Sequence, residues 1–408
     1  MPPTPIRVAV CATHPIQYQA PLWRRLAARP ELDLRAYFGT DMSVRGYKDR
    51  EFGVSLSWDT PLLEGYAHTF LSTDPSIQRI TLRSPGAKGL HSALRNFRPQ
   101  VGVMTAYMNR FHLGAWSAFR KLRVPIVMRH EASDVAHARS GWKAKLRDSA
   151  LRLFYARIDR FAVIGTESRR HLLRLGVSES KLGNAPYCVD SDFVATQAAT
   201  WLPRRAKLRA ELGIADTDRV LVFSGKLIPK KDPFLICEAI AALASGPHGS
   251  MVERLHVVFA GDGELRAALE ERMKLLLGSR AHFLGFLNQG LMGKAYAVGD
   301  ALVLPSRRGS GETWGLVVNE AMQYGLPAIV SDGVGCHVDL VSPGQTGWVF
   351  LSGDVAGLVG ALTAFIRLDA AKAETMKSAI AAAAQAYSLD SAAIGLAEAI
   401  KFVALRQK

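Results

Sequence analysis

Two glutamates eight residues apart, Glu312 and Glu320, are the residues with the clearest capacity for chemistry. The apolar run 301–304 predicts a buried strand, and the Ser, Gly and Arg residues after it predict a loop. A helical pattern begins near Gly315 and stops at Gly325-Leu326-Pro327. We therefore expect Glu312 on a loop at the carboxyl end of a strand and Glu320 inside the following helix.

The start of that helix lies between the two carboxylates. A helix N-terminus offers free N–H groups and the positive end of a dipole, which together favour phosphate. A carboxylate on each side could accept hydrogen bonds from hydroxyl groups that flank a diphosphate, as in a nucleotide sugar. A glycosidase instead needs both carboxyls at one bond, about 5 to 9.5 Å apart, and here the space between them is predicted to hold phosphates.

A second phosphate-directed feature is the segment Gly225 to Asp232, which follows the predicted strand 220–224. Ligands of open α/β sheets bind at the carboxyl ends of the strands. A glycine there lets the backbone approach a phosphate, and Lys226 and Lys231 would neutralise its charge. A solvated charge run on a loop is the alternative interpretation.

Two further glycine turns, Gly261-Asp262-Gly263 and Gly285-Phe286, follow the next two predicted strands. Each alone is a weak signal, since many strand-to-helix turns contain glycine. Arg266 stands where a dinucleotide fingerprint requires its third glycine, which argues against a Rossmann oxidoreductase.

Taken together, these motifs resemble the second domain of a retaining GT-B glycosyltransferase of the group called family four, over Val220–Val349. Gly325-Leu326-Pro327 and Ser331 to Gly335 continue the match in the family's order. The resemblance implies two Rossmann-like parallel-sheet domains with a cleft between them. It also implies a nucleotide sugar as co-substrate and no metal cofactor.

The resemblance assigns roles to residues of this chain. Lys226 and Lys231 would bind the donor diphosphate, Glu312 the sugar hydroxyls and Glu320 the ribose. The other donor-binding candidates are Gly225, Gly263, Gly285, Phe286, Thr313, Trp314, Gly315, Leu316 and Val317. Lys226 replaces an arginine of the family and so lacks its bidentate geometry. Asp232 replaces a glycine, so its loop could follow a different path.

The first half of the chain offers acceptor or cleft candidates. Its opening turn, which contains His14, Gln17 and Tyr18, resembles a bacterial surface-polysaccharide subgroup of the same family. The aromatics of 52–66 could form an acceptor-sugar platform or pack on their own domain. His130 and Glu131 follow the predicted strand 125–128 and should face the cleft, His130 as a catalytic candidate; a buried structural histidine is the alternative.

The length of 408 residues accommodates two α/β domains, in which short apolar strands alternate with helices. We predict an N-terminal acceptor domain over 1–195, a C-terminal nucleotide-sugar domain over 196–385 and a final helix over 386–408 that packs back on the first domain. No apolar run has the length of a membrane span. The four scattered cysteines favour a reduced, cytoplasmic protein.

Strands are predicted from the apolar runs of both halves. In the first half they are 6–11, 34–38, 101–104, 125–128 and 160–164, and in the second 220–224, 255–260, 282–284, 301–304, 327–330 and 347–350.

Positive charge is concentrated in the first half. Residues 1–195 hold 29 Lys and Arg against 16 Asp and Glu, whereas the remainder holds 22 against 20. Such asymmetry points to an anionic partner. Residues 142–157 predict a basic amphipathic helix that could lie on an anionic membrane surface or present a solvated face. Nucleic acid would explain the charge but not Glu312 and Glu320, so we predict no nucleic-acid partner.

The resemblance and the charge together imply transfer of a sugar, with retention, from a UDP- or GDP-linked donor to a hydroxyl of a lipid-linked glycan acceptor, in cell-surface polysaccharide synthesis at the cytoplasmic face of a membrane. No residue stands out as a covalent nucleophile, so we expect same-face attack by the acceptor. An epimerase of the same fold is the alternative and would need acid and base groups converging on carbon two of the sugar.

Overall fold

The computed structural model describes residues 4–48, 55–56, 58–137 and 140–406. The first domain contains a seven-stranded parallel sheet in the order β5-β2-β1-β6-β7-β8-β9, beside a small antiparallel hairpin of β3 and β4. Its strands are β1 (Ile6–Ala12), β2 (Leu32–Phe38), β3 (Tyr47–Lys48), β4 (Ser55–Leu56), β5 (Ala67–Phe70), β6 (Val101–Met104), β7 (Ile126–Met128), β8 (Arg160–Val163) and β9 (Leu182–Asn184).

The second domain contains a six-stranded parallel sheet in the order β12-β11-β10-β13-β14-β15. Its strands are β10 (Arg219–Ser224), β11 (Leu255–Ala260), β12 (Ala281–Gly285), β13 (Ala301–Leu304), β14 (Ala328–Ser331) and β15 (Gly347–Phe350).

Helices connect the strands and cover the faces of both sheets. Those up to the interdomain linker are α1 (Ala20–Ala27), α2 (Met42–Arg45), α3 (Leu90–Phe97), α4 (Arg110–Lys121), α5 (Gly141–Tyr155), α6 (Thr166–Arg174) and α7 (Ser191–Trp201). Those that follow are α8 (Arg205–Glu211), α9 (Phe234–Ser245), α10 (Arg266–Leu277), α11 (Gln289–Val298), α12 (Leu316–Gln323), α13 (His337–Leu340), α14 (Val355–Ile366), α15 (Ala370–Ala386) and α16 (Leu389–Leu405).

Each sheet separates two hydrophobic cores. In β1, Val8 and Val10 pack on one face, whereas Ala9 and Cys11 pack on the other, as the two-residue period of a strand dictates. Helices on both faces exclude water, which is why the central strands are continuous apolar runs. Among the described residues, no helix is long and apolar enough to span a bilayer.

The final helix, α16, crosses back to the first domain. Its buried side chains, Leu396 and Ile400 among them, join the core of the first sheet. Close approach to β9 requires Gly395, because a Cβ there would lie 1.9 Å from the carbonyl oxygen of Asn184. The predicted boundary after residue 195 falls inside α7, whose Val194 and Ala198 pack in the core of the second domain.

The predicted α/β fold is confirmed, and the predicted strands coincide with observed ones within one or two residues at each end. The edge strands β5 and β9 were not predicted. The residues of β5 are exposed or half-buried, and β9 is only three residues long. Edge strands need no buried apolar run, so the sequence pattern carries little signal for them.

Candidate functional site

Three glycine turns lie side by side at the carboxyl edge of the second sheet. The N–H of Gly225 donates to Ala260 (3.0 Å), and the N–H of Gly261 donates to Gly285 (2.8 Å). A Cβ on Gly261 would lie 1.9 Å from the carbonyl oxygen of Gly225, so this contact excludes larger residues. Gly263 packs in the same way against Leu227. These turns keep the backbone free of side chains at the edge where a ligand of an open sheet binds.

The N-terminus of α12 lies at the same edge. Gly315 caps the helix with a φ of 106°, a conformation that glycine adopts readily, and Leu316 and Val317 form the first turn. Their free N–H groups and the helix dipole favour an anion. The side chain of Trp314 points away from the cavity, donating to Asn319 (2.8 Å) and packing against Tyr187.

Glu312 and Lys231 form an ion pair beside this helix end. Ser306 also donates to the carboxylate of Glu312 (3.1 Å). Burial raises the pKa of Glu312, but the ammonium group of Lys231, the hydroxyl of Ser306 and the charge of Lys230 together hold that pKa below its usual value. The pair therefore keeps a carboxylate ionised at a mostly buried position. Lys226 is half-buried on the preceding turn.

Asp232 takes a left-handed conformation (φ 51°), which glycine enters at less cost. Its carboxylate is held by the guanidinium of Arg307, at 2.9 and 3.0 Å. The substitution of glycine by aspartate is thus compatible with a tight turn immediately after Lys231.

Glu320 is buried on the other side of the helix end. Tyr296 donates to its carboxylate (2.7 Å), and Gln289 forms a second side-chain hydrogen bond to it. Burial raises the pKa of Glu320 in spite of both bonds. The hydroxyl of Tyr296 also contacts that of Ser224 (3.1 Å), which ties Glu320 to the end of β10.

A cavity of about 820 Å³ extends from the glycine turns, the N-terminus of α12 and Glu320 across the interdomain cleft, and Lys226, Lys231 and Glu312 are not among the residues that line it. On the second domain it is lined by Gly225, Gly261, Phe286, Leu316, Val317 and Glu320, among others. On the first domain it is lined by Gln17, Tyr18 and Trp58, among others. The volume lies within the range of small-molecule binding sites, about 300–1,000 Å³.

Glu131 joins the two domains. Its carboxyl accepts hydrogen bonds from Tyr187, from Tyr18 (3.4 Å) and from Thr313 of the second domain (3.4 Å). Burial raises the pKa of Glu131 despite these bonds and the nearby cation of Arg129. Because Thr313 follows Glu312 directly, Glu131 lies close to the sugar end of the predicted donor site.

The structure places His130 in an aromatic cluster instead of on the cavity wall. Its ring stacks on Tyr155 at 5.4 Å and meets Tyr107 edge to face, while Nδ1 accepts the N–H of Ala132 (3.1 Å). Burial, with a smaller effect of His171, lowers the pKa of His130 to about 3. His130 is therefore neutral at pH 7.

The opening turn is divided between two environments. Gln17 and Tyr18 line the cavity. His14 bonds to Thr13 (2.9 Å) beside the buried His112, and burial lowers the pKa of His14 to about 4. Only Gln17 and Tyr18 of this turn are therefore in direct contact with the cavity.

The described aromatics of segment 52–66, Trp58 and Tyr66, lie in different environments. Phe52 lies outside the described residues. Tyr66 is buried in the first domain and donates to the carbonyl of Leu62. Trp58 lines the cavity together with Phe286 of the second domain.

The sequence contains two Asp-x-Asp triplets, at 190–192 and 216–218, a spacing that can serve a metal site. Asp190 caps α7 by accepting the N–H of Phe193 (3.2 Å), and Asp192 pairs with Arg25. Asp218 accepts from Ala215 (3.0 Å). Within the described residues, no group of three or more His, Cys, Asp or Glu side chains could hold a metal ion.

Several site residues gave no local signal in the sequence. Tyr296 and Gln289 lie on α11 and form hydrogen bonds with Glu320 of α12. Tyr187, between β9 and α7, donates a hydrogen bond to Glu131. None belongs to a recognisable motif, so only the packing of the elements brings them to the carboxylates.

Comparison with known proteins agrees with this geometry. Residues 204–385 match the family model described as Glycosyl transferases group 1. These residues form a glycosyltransferase group 1 domain. That span contains both glutamates, both lysines and all three glycine turns of the site.

Relatives extend the similarity beyond this domain. The chain is 28% identical over 301 residues to sulfoquinovosyl transferase SQD2 of Arabidopsis thaliana, and 27% identical over 262 residues to D-inositol 3-phosphate glycosyltransferase of Nocardia farcinica. The matches cover 70% and 62% of this chain but only 53% and 55% of the relatives, so the chain spans about half their length.

A solved structure matches nearly the whole chain. Anabaena Alr3699/HepE in complex with UDP aligns with a TM-score of 0.70 at 17% identity, covering 98% of this chain and 100% of its own. At that identity the likeness shows the fold alone: the protein has the GT-B fold, with two Rossmann-like domains.

Proposed function

We propose that the protein is a retaining glycosyltransferase of family four and of the bacterial surface-polysaccharide subgroup. It would transfer a sugar from a UDP- or GDP-linked donor to a hydroxyl of a lipid-linked glycan acceptor. One observation carries the proposal: Glu312 and Glu320 flank the N-terminus of α12 at a glycine-lined sheet edge that faces the interdomain cavity.

The donor is proposed to lie along this edge. Glu320 accepts the ribose hydroxyls, since its carboxylate is fixed by Tyr296 and lines the cavity. The diphosphate lies over Gly225 and the first turn of α12, where N–H groups and the dipole favour negative charge. Glu312 accepts the sugar hydroxyls.

Transfer breaks the bond between the anomeric carbon and the phosphate oxygen, and the acceptor oxygen forms the new bond on the same face. The acceptor proton passes to the departing phosphate oxygen, so the leaving group is a nucleoside diphosphate. Lys226, Lys231 and the helix N-terminus stabilise the charge on it. Fixed groups of this kind are typically worth about 3 kcal/mol each. Glu131 is a weak candidate for a nucleophile, because burial favours its neutral form.

A donor screen tests the substrate class. Thermal unfolding is followed with UDP-, GDP- and dTDP-sugars, because a ligand of the native state raises its stability. We expect a rise with a UDP- or GDP-sugar and a much smaller one in Glu320→Ala. Turnover of an intact donor by Glu312→Ala and Lys231→Ala should fall steeply. Near-normal turnover in both variants would remove this site assignment.

We further propose that α5 rests on an anionic membrane surface at the cytoplasmic face. Trp142, Leu146 and Leu153 are 70%, 65% and 64% exposed, and their spacing of four and seven residues places them on one side of the helix. Exposed basic residues accompany them: Lys143, Lys145, Arg152 and Arg157. Apolar side chains would enter the interface while the basic ones meet anionic headgroups.

Vesicle sedimentation tests this surface. Wild-type protein should bind vesicles containing phosphatidylglycerol and bind neutral phosphatidylcholine vesicles much less. Leu146→Glu should abolish most binding, whereas Leu275→Glu should not. Leu275 is the matched control, because it is 76% exposed on α10 of the second domain. Equal binding by both variants would contradict a role for α5.

A further inference from the structure

Part of the wall of the interdomain cavity is supplied by the first domain. Trp58, Thr60 and Pro61, from the segment 58–61 of the first domain, line the same cavity as Phe286 and Glu320 of the second. Trp58 is half-buried and packs partly on the core of its own domain. It therefore takes part in both the first-domain packing and the cavity wall.

Segment 58–61 is anchored to its own domain. Arg24 of α1 donates to the carbonyl of Pro61 (2.9 Å) and to that of Glu64 (3.1 Å). The next side chain, Leu62, is buried in the first-domain core. This anchoring fixes the position of Trp58 relative to the first sheet, so the wall moves only with its domain.

The same segment makes a hydrogen bond across the cleft. The carboxylate of Asp59 accepts the N–H of Gly290 (2.9 Å), in the first turn of α11. A carboxylate at a helix N-terminus is favoured by the free N–H groups and the dipole. Gly290 follows Gln289, whose side chain bonds to Glu320, so the contact lies one residue from the proposed ribose site.

Assignment of the ribose to Glu320 fixes where the base must lie. The base extends from the ribose away from the diphosphate, and Phe286 and Leu287 line the same cavity as Glu320 and offer it an apolar surface. We infer that Trp58 supplies the aromatic wall of the nucleobase site, and that Asp59 bound to Gly290 holds that wall across the cleft. The inference rests on the proposed function and adds a first-domain specificity residue to it.

Binding of UDP and of pyrophosphate separates base recognition from phosphate recognition. By calorimetry, Trp58→Ala and Trp58→Leu should weaken UDP binding about tenfold or more, as expected for loss of an aromatic–base contact. Pyrophosphate affinity should stay within about twofold of wild type. Trp58→Leu retains most of the apolar packing, and Trp58→Phe should recover most of the UDP affinity. Asp59→Asn should also weaken UDP binding, because the charge at α11 is lost.

The outcomes distinguish this inference from the proposed function. Unchanged UDP affinity in Trp58→Ala and Trp58→Leu would overturn the inference and leave the proposed function intact. An equal loss of UDP and pyrophosphate affinity would overturn it as well, since the variant would then disturb the whole site. A wild-type protein that binds neither UDP nor GDP would overturn the proposed function, and this inference with it.

Discussion

Replacement of Lys231 by methionine should destabilise the protein and do so more strongly as the pH rises. The side chains of Lys231 and Glu312 are 15% and 14% exposed. Lys231→Met leaves a mostly buried carboxylate that still accepts a hydrogen bond from Ser306. Removing one partner of a buried ion pair typically costs about 3 kcal/mol or more. We therefore expect the free energy of unfolding at pH 7.5 to fall by about 3 kcal/mol.

The pH dependence follows from the pKa of Glu312. In the wild type that pKa is lowered, so its contribution is present above the unfolded-state value of about 4.3 and is lost as the pH falls through the folded value. In Lys231→Met, burial acts without the ammonium group and raises the pKa. The variant then loses stability as the pH rises above about 4.3. The deficit should therefore be smaller at pH 4.5 than at pH 7.5, because only the penalty of the raised pKa in the variant grows between the two values.

Urea denaturation at both pH values measures the deficit, and a double-mutant cycle isolates the pair. Glu312→Gln keeps an acceptor for Ser306 but removes the charge. Lys231→Met/Glu312→Gln should therefore be more stable than additivity predicts, by about 2 kcal/mol. Lys377→Met is the matched control, because Lys377 and Glu374 form a surface pair with 61% and 73% exposure. Its effect should be below about 1 kcal/mol at either pH. Equal deficits at both pH values, or full additivity, would refute the reasoning.

Three further variants probe packing and the ribose site. Gly395→Ala should lower the free energy of unfolding by about 2 kcal/mol or more, because the new Cβ would meet a backbone carbonyl at 1.9 Å. Gly360 in α14 is the control, because a Cβ there would meet nothing within 4 Å. Gly360→Ala should raise the free energy of unfolding by about 0.5–1 kcal/mol. Equal shifts of the melting temperature in both glycine variants would contradict this prediction. Tyr296→Phe removes a hydrogen bond to Glu320, so the pKa of Glu320 should rise further. The affinity for UDP at pH 7 should then fall about fivefold. Calorimetry at pH 6 and pH 8 should show a larger loss of UDP affinity at the lower pH. A variant whose UDP affinity equals that of the wild type at both pH values would exclude this role for Tyr296.

The organisation of the second domain could be predicted because its signals are local. The strand 301–304, the stop at Gly325 and the turns at Gly225 and Gly261 each depend on residues adjacent in the chain. A parallel sheet then places all strand ends at one edge, so Glu312 could be expected near the lysines. The edge strands were missed because they bury little apolar surface.

The amino-acid sequence by itself determined the α/β fold, the order of the elements and the group of glycines and glutamates at one sheet edge. Those features follow from periodicity and backbone conformation over short segments. Tertiary structure alone decided that Trp58 and Phe286 line one cavity, that Glu131 meets Thr313 and that His130 lies in an aromatic cluster. These contacts depend on how two domains are placed by α7 and α16, and residues so distant in the chain leave no shared pattern in it.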